Sequence, residues 1–316
     1  MAMGYCILLP FVLHCLAVID MKKRPAGMIS LLLATVIWGF AFIAQSVGME
    51  HIGPFTFQSV RCALAVAFLF PISFLLDGKK ADLAASLKKW KDPALWKAGI
   101  LCGCALFAAA SLQQIGLVST DAGKAGFITA MYIVLVPILG AFMGQRPSAG
   151  AIVSVLLAVA GLYLLSCMGS AGINTGDLLL MGCALAFAVQ IRCVDRFAGS
   201  VDGIRLNCVQ SLVVTVLSVP CALLTERIDF AQIWACRSSL LFAGVLSMGV
   251  AYSLQIVGQK HLEPTPAALI MSLESVFAVL GGWLILHETM TQWELLGCCL
   301  VFCAVILSQL PSPKKK

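Results

Sequence analysis

Along nearly the whole chain, apolar runs of about 18 to 25 residues alternate with short polar breaks, and each run suffices as a helix to cross roughly 30 Å of hydrocarbon. The pattern predicts ten spans, at about 28–47, 55–76, 95–117, 122–143, 149–168, 176–196, 203–225, 239–258, 265–286 and 291–310. The longest breaks, Asp77 to Pro93 and Glu226 to Ser238, are too short to fold alone. The expected class is therefore an all-α, polytopic membrane protein with no soluble catalytic domain.

Composition agrees. Of 316 residues, 60% are hydrophobic and 11% charged, against roughly 25% charged in soluble domains. The net charge of +6 first suggests an acidic partner such as nucleic acid. Its placement argues otherwise: with the start of the first span inside, 17 of the 21 Lys and Arg residues fall in inside loops, Lys124, Arg227 and Arg237 fall outside, and Arg61 lies within a span. By the positive-inside rule both ends of the ten-span unit are expected in the cytoplasm, in a cytoplasmic membrane whose lipid is the chain's solvent. The basic residues report orientation and give no sign of nucleic-acid binding.

Residues 1–25 form a separate segment. Its stretch YCILLPFVLHCLAVID lacks the preceding basic region and the cleavage site of a signal peptide. The basic cluster MKKRP follows it, so translation is expected to start at Met21, with an extra short helix as the alternative. Residues 309–316 read as a basic cytoplasmic tail. The fourteen cysteines sit mostly inside spans, where cysteine acts as a small apolar residue, and no zinc-type spacing of Cys and His occurs in a polar loop.

The second half overlays the first. At an offset of 142, Ser111-Leu112-Gln113 falls on Ser253-Leu254-Gln255, Gly116 on Gly258 and Gly140 on Gly282. At an offset of 149, Gly27 falls on Gly176, Trp38 on Phe187 and Pro71 on Pro220. The longer loop after the second span absorbs the difference. Each repeat, 29–166 and 175–308, holds five predicted spans, so the second copy must enter the membrane from the opposite side. Inverted repeats of this kind underlie many secondary transporters, with the substrate site near the midplane.

The stretches LLLATVIWGFAFIAQSVG, FQSVRCALA, AGFITAMYIVLVPILGAFMG and PTPAALIMSLESVFAVLGGWLILHE resemble the EamA-type transporters of the drug/metabolite transporter superfamily. The resemblance covers both repeats. It implies ten helices around a central cavity walled by spans 1, 3, 4, 6, 8 and 9, and small-metabolite export, amino acids among the cargoes. Where such transporters often carry Gly-Glu at the end of the fourth span, this chain has Gln145-Arg146, while the ninth span keeps an acid in His287-Glu288.

Polar groups at membrane depth usually face the bundle interior or a cavity. The substrate-binding candidates are Gln45, Gln113, Gln114, Tyr132, Gln190, Tyr252, Gln255 and Glu274, and the candidates for coupling or an ion pair are Glu274 and Arg61. Glu274 is the single charge in Ala267–Leu286 and shares a helical stripe with Ala267, Met271, Ala278 and Gly281. It reads either as a carboxylate that exchanges a proton or binds a cationic substrate, or as an acceptor tying helix ends together. An acid here looks like a general feature of the fold, which favours the structural role. Its counterpart in the first repeat is Tyr132. Arg61, opposite Gln210, is expected to serve structure or to snorkel to the outer interface more than to meet an anion. Gln113 and Gln255 serve cavity or packing equally well, and Trp38, Trp283, Tyr132 and Tyr252 are possible lining rings. Gly99-x-x-x-Gly103 and Gly140-x-x-x-Gly144 read as close-packing signals.

Other classes find little footing. HETMT at His287 lacks the second histidine of a zinc-protease helix, GINTGD ends in an unpaired Asp177, and no Gly-x-Ser-x-Gly or phosphate loop occurs. No enzyme, cofactor or metal site is expected, nor the filter loop of a channel. The expectation is a secondary transporter moving a small, amino-acid-like or other polar metabolite by alternating access. The alternatives are a flippase for a lipid or lipid-linked sugar, or a non-transporting scaffold, as either monomer or homodimer.

Overall fold

The structure, a computed structural model, describes residues 24–77, 83–120, 122–145, 147–166, 174–285 and 291–309. The N-terminal apolar segment, the basic tail, Arg146 and His287-Glu288 lie outside the described residues.

The described chain is helical, with no strand. The first half forms α1 (Arg24–Met49), α2 (Pro54–Leu75), the short α3 (Leu83–Trp90), α4 (Pro93–Leu117), α5 (Ala122–Ala130), α6 (Tyr132–Phe142) and α7 (Ala149–Ser166). The second forms α8 (Thr175–Phe197), α9 (Gly203–Thr225), α10 (Phe230–Ala235), α11 (Arg237–Leu241), a π-helical segment (Phe242–Ala251), α12 (Tyr252–Gln259), α13 (Pro264–Met271), α14 (Leu273–Ile285) and α15 (Gln292–Gln309). Proline sits in the first turn of α2 and α4, where its missing N–H deprives no helix bond. Asp92 and Asp202 cap α4 and α9 through their carboxylates, and Asn174 with Asp177 forms a capping box on α8.

Eight helical stretches are long and apolar enough to cross a membrane, and two shorter apolar helices, Ala149–Leu164 and Gln292–Ser308, accompany them. Large apolar side chains such as Phe142, Leu224 and Ile306 are exposed, whereas Gln58, Gln114, Gln190, Asn207 and Gln210 are buried. That distribution inverts the soluble one and matches a hydrocarbon exterior.

Helices of the two halves interleave. α7 packs on α15, α2 on α9, α4 on α8 and α9, and α1 on α14, α12 and the π segment. Gly99 and Gly103 let α4 approach α9 closely: a Cβ at either would stand 2.3 Å or 2.6 Å from Val209 or Val213. Gly140-x-x-x-Gly144 serves a different purpose from the packing expected. Gly144 has φ +82° with nothing within 4 Å of an added Cβ, and Gln145 N donates to Gly140 O while Gly144 N donates to Ala141 O. This is a Schellman cap ending α6.

Two contacts repeat in detail. A Cβ on Gly116 would lie 2.7 Å from Leu180 Cγ and 3.1 Å from Gly176 O. A Cβ on Gly258 would lie 2.6 Å from Leu31 Cγ and 3.0 Å from Gly27 O. Gly116 and Gly258 are 142 apart, and Gly27 and Gly176, like Leu31 and Leu180, are 149 apart.

Candidate substrate site

A cavity opens between the halves. Trp38, Phe42 and Gln45 reach it from one face of α1, Phe187, Gln190 and Ile191 from one face of α8, following helical i, i+3, i+4, i+7 spacing. Arg61 enters from α2, Gln113 from α4, Tyr132 from α6, and Ser247 from the π segment. Tyr252 and Gln255 of α12, Met271 of α13 and Glu274 of α14 complete the wall. Trp38 and Tyr252 meet edge to face at 5.0 Å between ring centroids. The cavity is small, about 40 Å³, room for a few waters, so a guest the size of an amino acid enters it only when the walls part.

The span holding Tyr132 and the span holding Glu274 are both interrupted beside those residues, at Met131 between α5 and α6 and at Ser272 between α13 and α14. Tyr132 hydroxyl donates to Glu274 Oε1 at 3.1 Å across 142 positions of sequence. Residues equivalent under the sequence offset thus touch each other. Glu274 both links the starts of two half-helices and faces the cavity.

Arg61 does not snorkel. It is 3% exposed, lines the cavity, and its Nη1 donates to Gln45 Oε1 at 2.5 Å. Gln114, the one substrate-binding candidate that does not line the cavity, stands behind it and donates to the same oxygen at 3.0 Å. Gln255 Nε2 donates to Gln190 Oε1 at 3.2 Å. Trp38 Nε1, Arg61 Nε, Gln190 Nε2 and Gln255 Oε1 are buried with no hydrogen-bond partner among the described residues. The same holds for atoms outside the cavity wall, Arg192 Nε and Arg205 Nε among them.

Other intramembrane polar residues bond within the protein away from the cavity wall. Gln58 joins Ser111 and Ser218. Asn207 donates to Met248 O, Gly249 O and Ser253 Oγ, tying α9 to the π segment and α12. Trp283 is half exposed on the outer surface. Phe42, Ile191, Ser247 and Met271 line the wall without polar prominence in the sequence, and only helical spacing from Trp38 and Phe187 could have found the first two.

The ends of the bundle differ. At one end Lys124 Nζ contacts Asp177 Oδ2 at 2.6 Å, Thr120 donates to Asn174 and Asp177, and Glu226 accepts from Phe55 N, Thr56 N and Thr56 Oγ1. At the other, Asp77 takes Arg205, Lys89 and Ser86, and a hollow of about 340 Å³ lies among Gln145, Arg192, Glu263 and neighbouring prolines. Arg192 donates to Gln145 Oε1 at 2.8 Å. Among the described residues no group of His, Cys, Asp and Glu could hold a metal ion.

Apolar helices with a small polar cavity between two interleaved halves define a membrane transporter. Residues 25–167 and 174–310 each match the EamA-like transporter family, and the chain belongs to that family. It is similar to an uncharacterized transporter of Archaeoglobus fulgidus, 33% identical over 91% of this chain and 87% of that one. It is also similar to the uncharacterized transporter YoaV of Bacillus subtilis, 24% identical over 94% of this chain and all of that one. The threonine/homoserine exporter RhtA of Salmonella typhimurium is 30% identical over 49% of this chain and 53% of RhtA. A solved crystal structure shares the fold at TM-score 0.76 and 18% identity, over 91% of this chain and 97% of that one.

Proposed function

We infer that this transporter exports a small amino-acid-like or other polar metabolite across the cytoplasmic membrane, with ten spans in two inverted five-helix repeats and both ends of that unit inside. The observation that carries the reading is the Tyr132–Glu274 contact: equivalent positions of two half-chains meet in a polar cavity beside paired helix interruptions, where inverted-repeat transporters hold cargo. The twin glycine contacts support the repeat. In the orientation set by the basic loops, the outer end is tied by Lys124–Asp177 and the inner end carries the larger hollow. This suits an inward-leaning state of an alternating-access cycle. The partial likeness to a threonine/homoserine exporter supports an amino-acid-like cargo.

The test is counterflow in proteoliposomes loaded in turn with amino acids, nucleosides and labelled lipids. Exchange of an amino acid or similar polar metabolite is expected. Movement of lipids alone would assign a flippase, and inertness toward every compound would assign a scaffold.

A further inference from the structure

The cavity buries two ionisable side chains that do not pair with each other. Arg61 is 3% and Glu274 7% exposed, and neither takes part in an ion pair among the described residues. A guanidinium offers five donors in a rigid fork. Here one donor goes to the neutral Gln45 oxygen, and Nε has no partner. Gln45 is itself held: its amide donates to Ala41 O at 3.1 Å, and its oxygen also takes Gln114. Phe57 lies 5.8 Å from the guanidinium carbon. Neutral neighbours therefore fix the fork in place and leave its charge unanswered. A charge at membrane depth normally finds an opposite charge, and the partner that best fits the remaining donors of a guanidinium is a carboxylate.

We propose that Arg61 is the specificity-determining residue of this cavity, receiving the carboxylate of the cargo while Glu274 receives its ammonium group. The proposal rests on the reading of the cavity as the transport site. When the cargo's ammonium holds Glu274 in its carboxylate form, Arg61, Glu274 and a zwitterion together sum to zero. Blocking the cargo's carboxylate adds an uncompensated cation, and blocking its amine adds an uncompensated anion. Either leaves one buried charge of the wall unpaired, which is strongly unfavourable. Gln113, Gln190 and Gln255 supply neutral donors and acceptors for the rest of the molecule.

The test compares counterflow of the proteinogenic amino acids with that of their methyl esters and N-acetyl derivatives. The wild type is expected to exchange at least one free amino acid and to disfavour both blocked forms by about 10- to 100-fold, the range of a charge-assisted contact. Arg61→Gln should abolish that preference of acid over ester. Arg61→Lys, which keeps the charge without the fork, should retain it in weakened form. Gln45→Ala, which loosens the guanidinium without removing it, should raise the half-saturating concentration and keep the preference, so the proposal stays testable if Arg61→Gln fails to elute as folded protein. Undiminished preference in Arg61→Gln, or a wild type that exchanges ester as fast as acid, overturns it. Exchange only of compounds without a carboxylate would remove the Arg61 assignment and leave the transporter reading standing. Exchange of no small molecule would remove both.

Discussion

The two halves of the chain build matching walls and differ in where they place charge. Trp38 and Phe187, Phe42 and Ile191, and Gln113 and Gln255 are equivalent positions, and all six line the cavity. Each pair keeps bulk or an amide, because the same packing problem arises twice. Gln45 against Val194, Gln190 against Ala41 and Tyr252 against Ala110 depart from the match, and Arg61 and Glu274 depart from it in charge. Gln210, the counterpart of Arg61, turns away to donate to Asn207 Oδ1 at 2.9 Å, and Tyr132, the counterpart of Glu274, donates to it. A cargo with unlike ends cannot be gripped by like ends. The equivalent positions thus share the scaffold, and the proposed grip on the cargo rests on where they differ.

The largest expected effect comes from moving the acid between halves. Glu274→Gln removes the ionisable carboxyl while keeping its shape, and counterflow should fall by about 30-fold or more, as for losing the proposed partner of the cargo's ammonium group. Tyr132→Glu combined with Glu274→Tyr moves the carboxylate to the equivalent place in the first half, and should recover part of the lost rate while Tyr132→Glu alone does not. A Glu274→Gln protein with full rate and unchanged pH dependence would remove Glu274 from both cargo binding and proton coupling.

Much of this was legible beforehand, and what escaped was phase. Apolar runs marked the helices to within a few residues, as at 95–117 against Pro93–Leu117. A span that is apolar on nearly every side says little about which face turns inward, so Arg61 is expected from sequence to serve structure or to snorkel more than to face a cavity. The interruptions at Met131 and Ser272 and the π segment at Phe242–Ala251 carry no local signature, because packing between helices selects them. The glycine of a C-cap and the glycine of a helix crossing look alike in sequence, which is how Gly144 came to be read as a packing residue.

A second contrast sets the bundle ends against each other. Arg205 is 1% exposed and grips Asp77 through Nη1 and Nη2, joining the end of α2 to the start of α9. Arg205→Gln should cost about 3 kcal/mol, as expected for breaking a buried pair, read by thermal unfolding in detergent. Desolvation raises the Asp77 pKa, but hydrogen bonds from Arg205, Lys89 and Ser86 outweigh it and hold the carboxyl well below the usual range. A depressed pKa contributes stability above the unfolded value of about 3.9 and loses it as pH falls toward the folded value. The wild type should keep this tie from about pH 5 upward and weaken below about pH 4, and Arg205→Gln should flatten that acid limb. An unaltered acid limb would show that Asp77 does not depend on Arg205.

Smaller and more symmetric losses are expected at the twin glycines. Gly116→Ala and Gly258→Ala push a methyl against the same partners at nearly the same distances, so each should cost about 1–3 kcal/mol, the range for overpacking a tight contact. Melting shifts that agree would support mechanical equivalence of the α4–α8 and α1–α12 crossings. A large loss at one and none at the other would confine the likeness of the halves to sequence.

The smallest effect separates the two kinds of glycine. Gly144 has a left-handed backbone and nothing within 4 Å of a Cβ, so Gly144→Ala meets no neighbour and pays only the conformational penalty of about 1 kcal/mol. The Schellman bonds of Gly144 N and Gln145 N hold that geometry whatever the side chain, so transport should be unchanged while the melting temperature drops slightly. A fall in counterflow beyond the fall in folded protein would mean that the end of α6, next to the Arg192–Gln145 contact, moves during the cycle and needs glycine's freedom to do so.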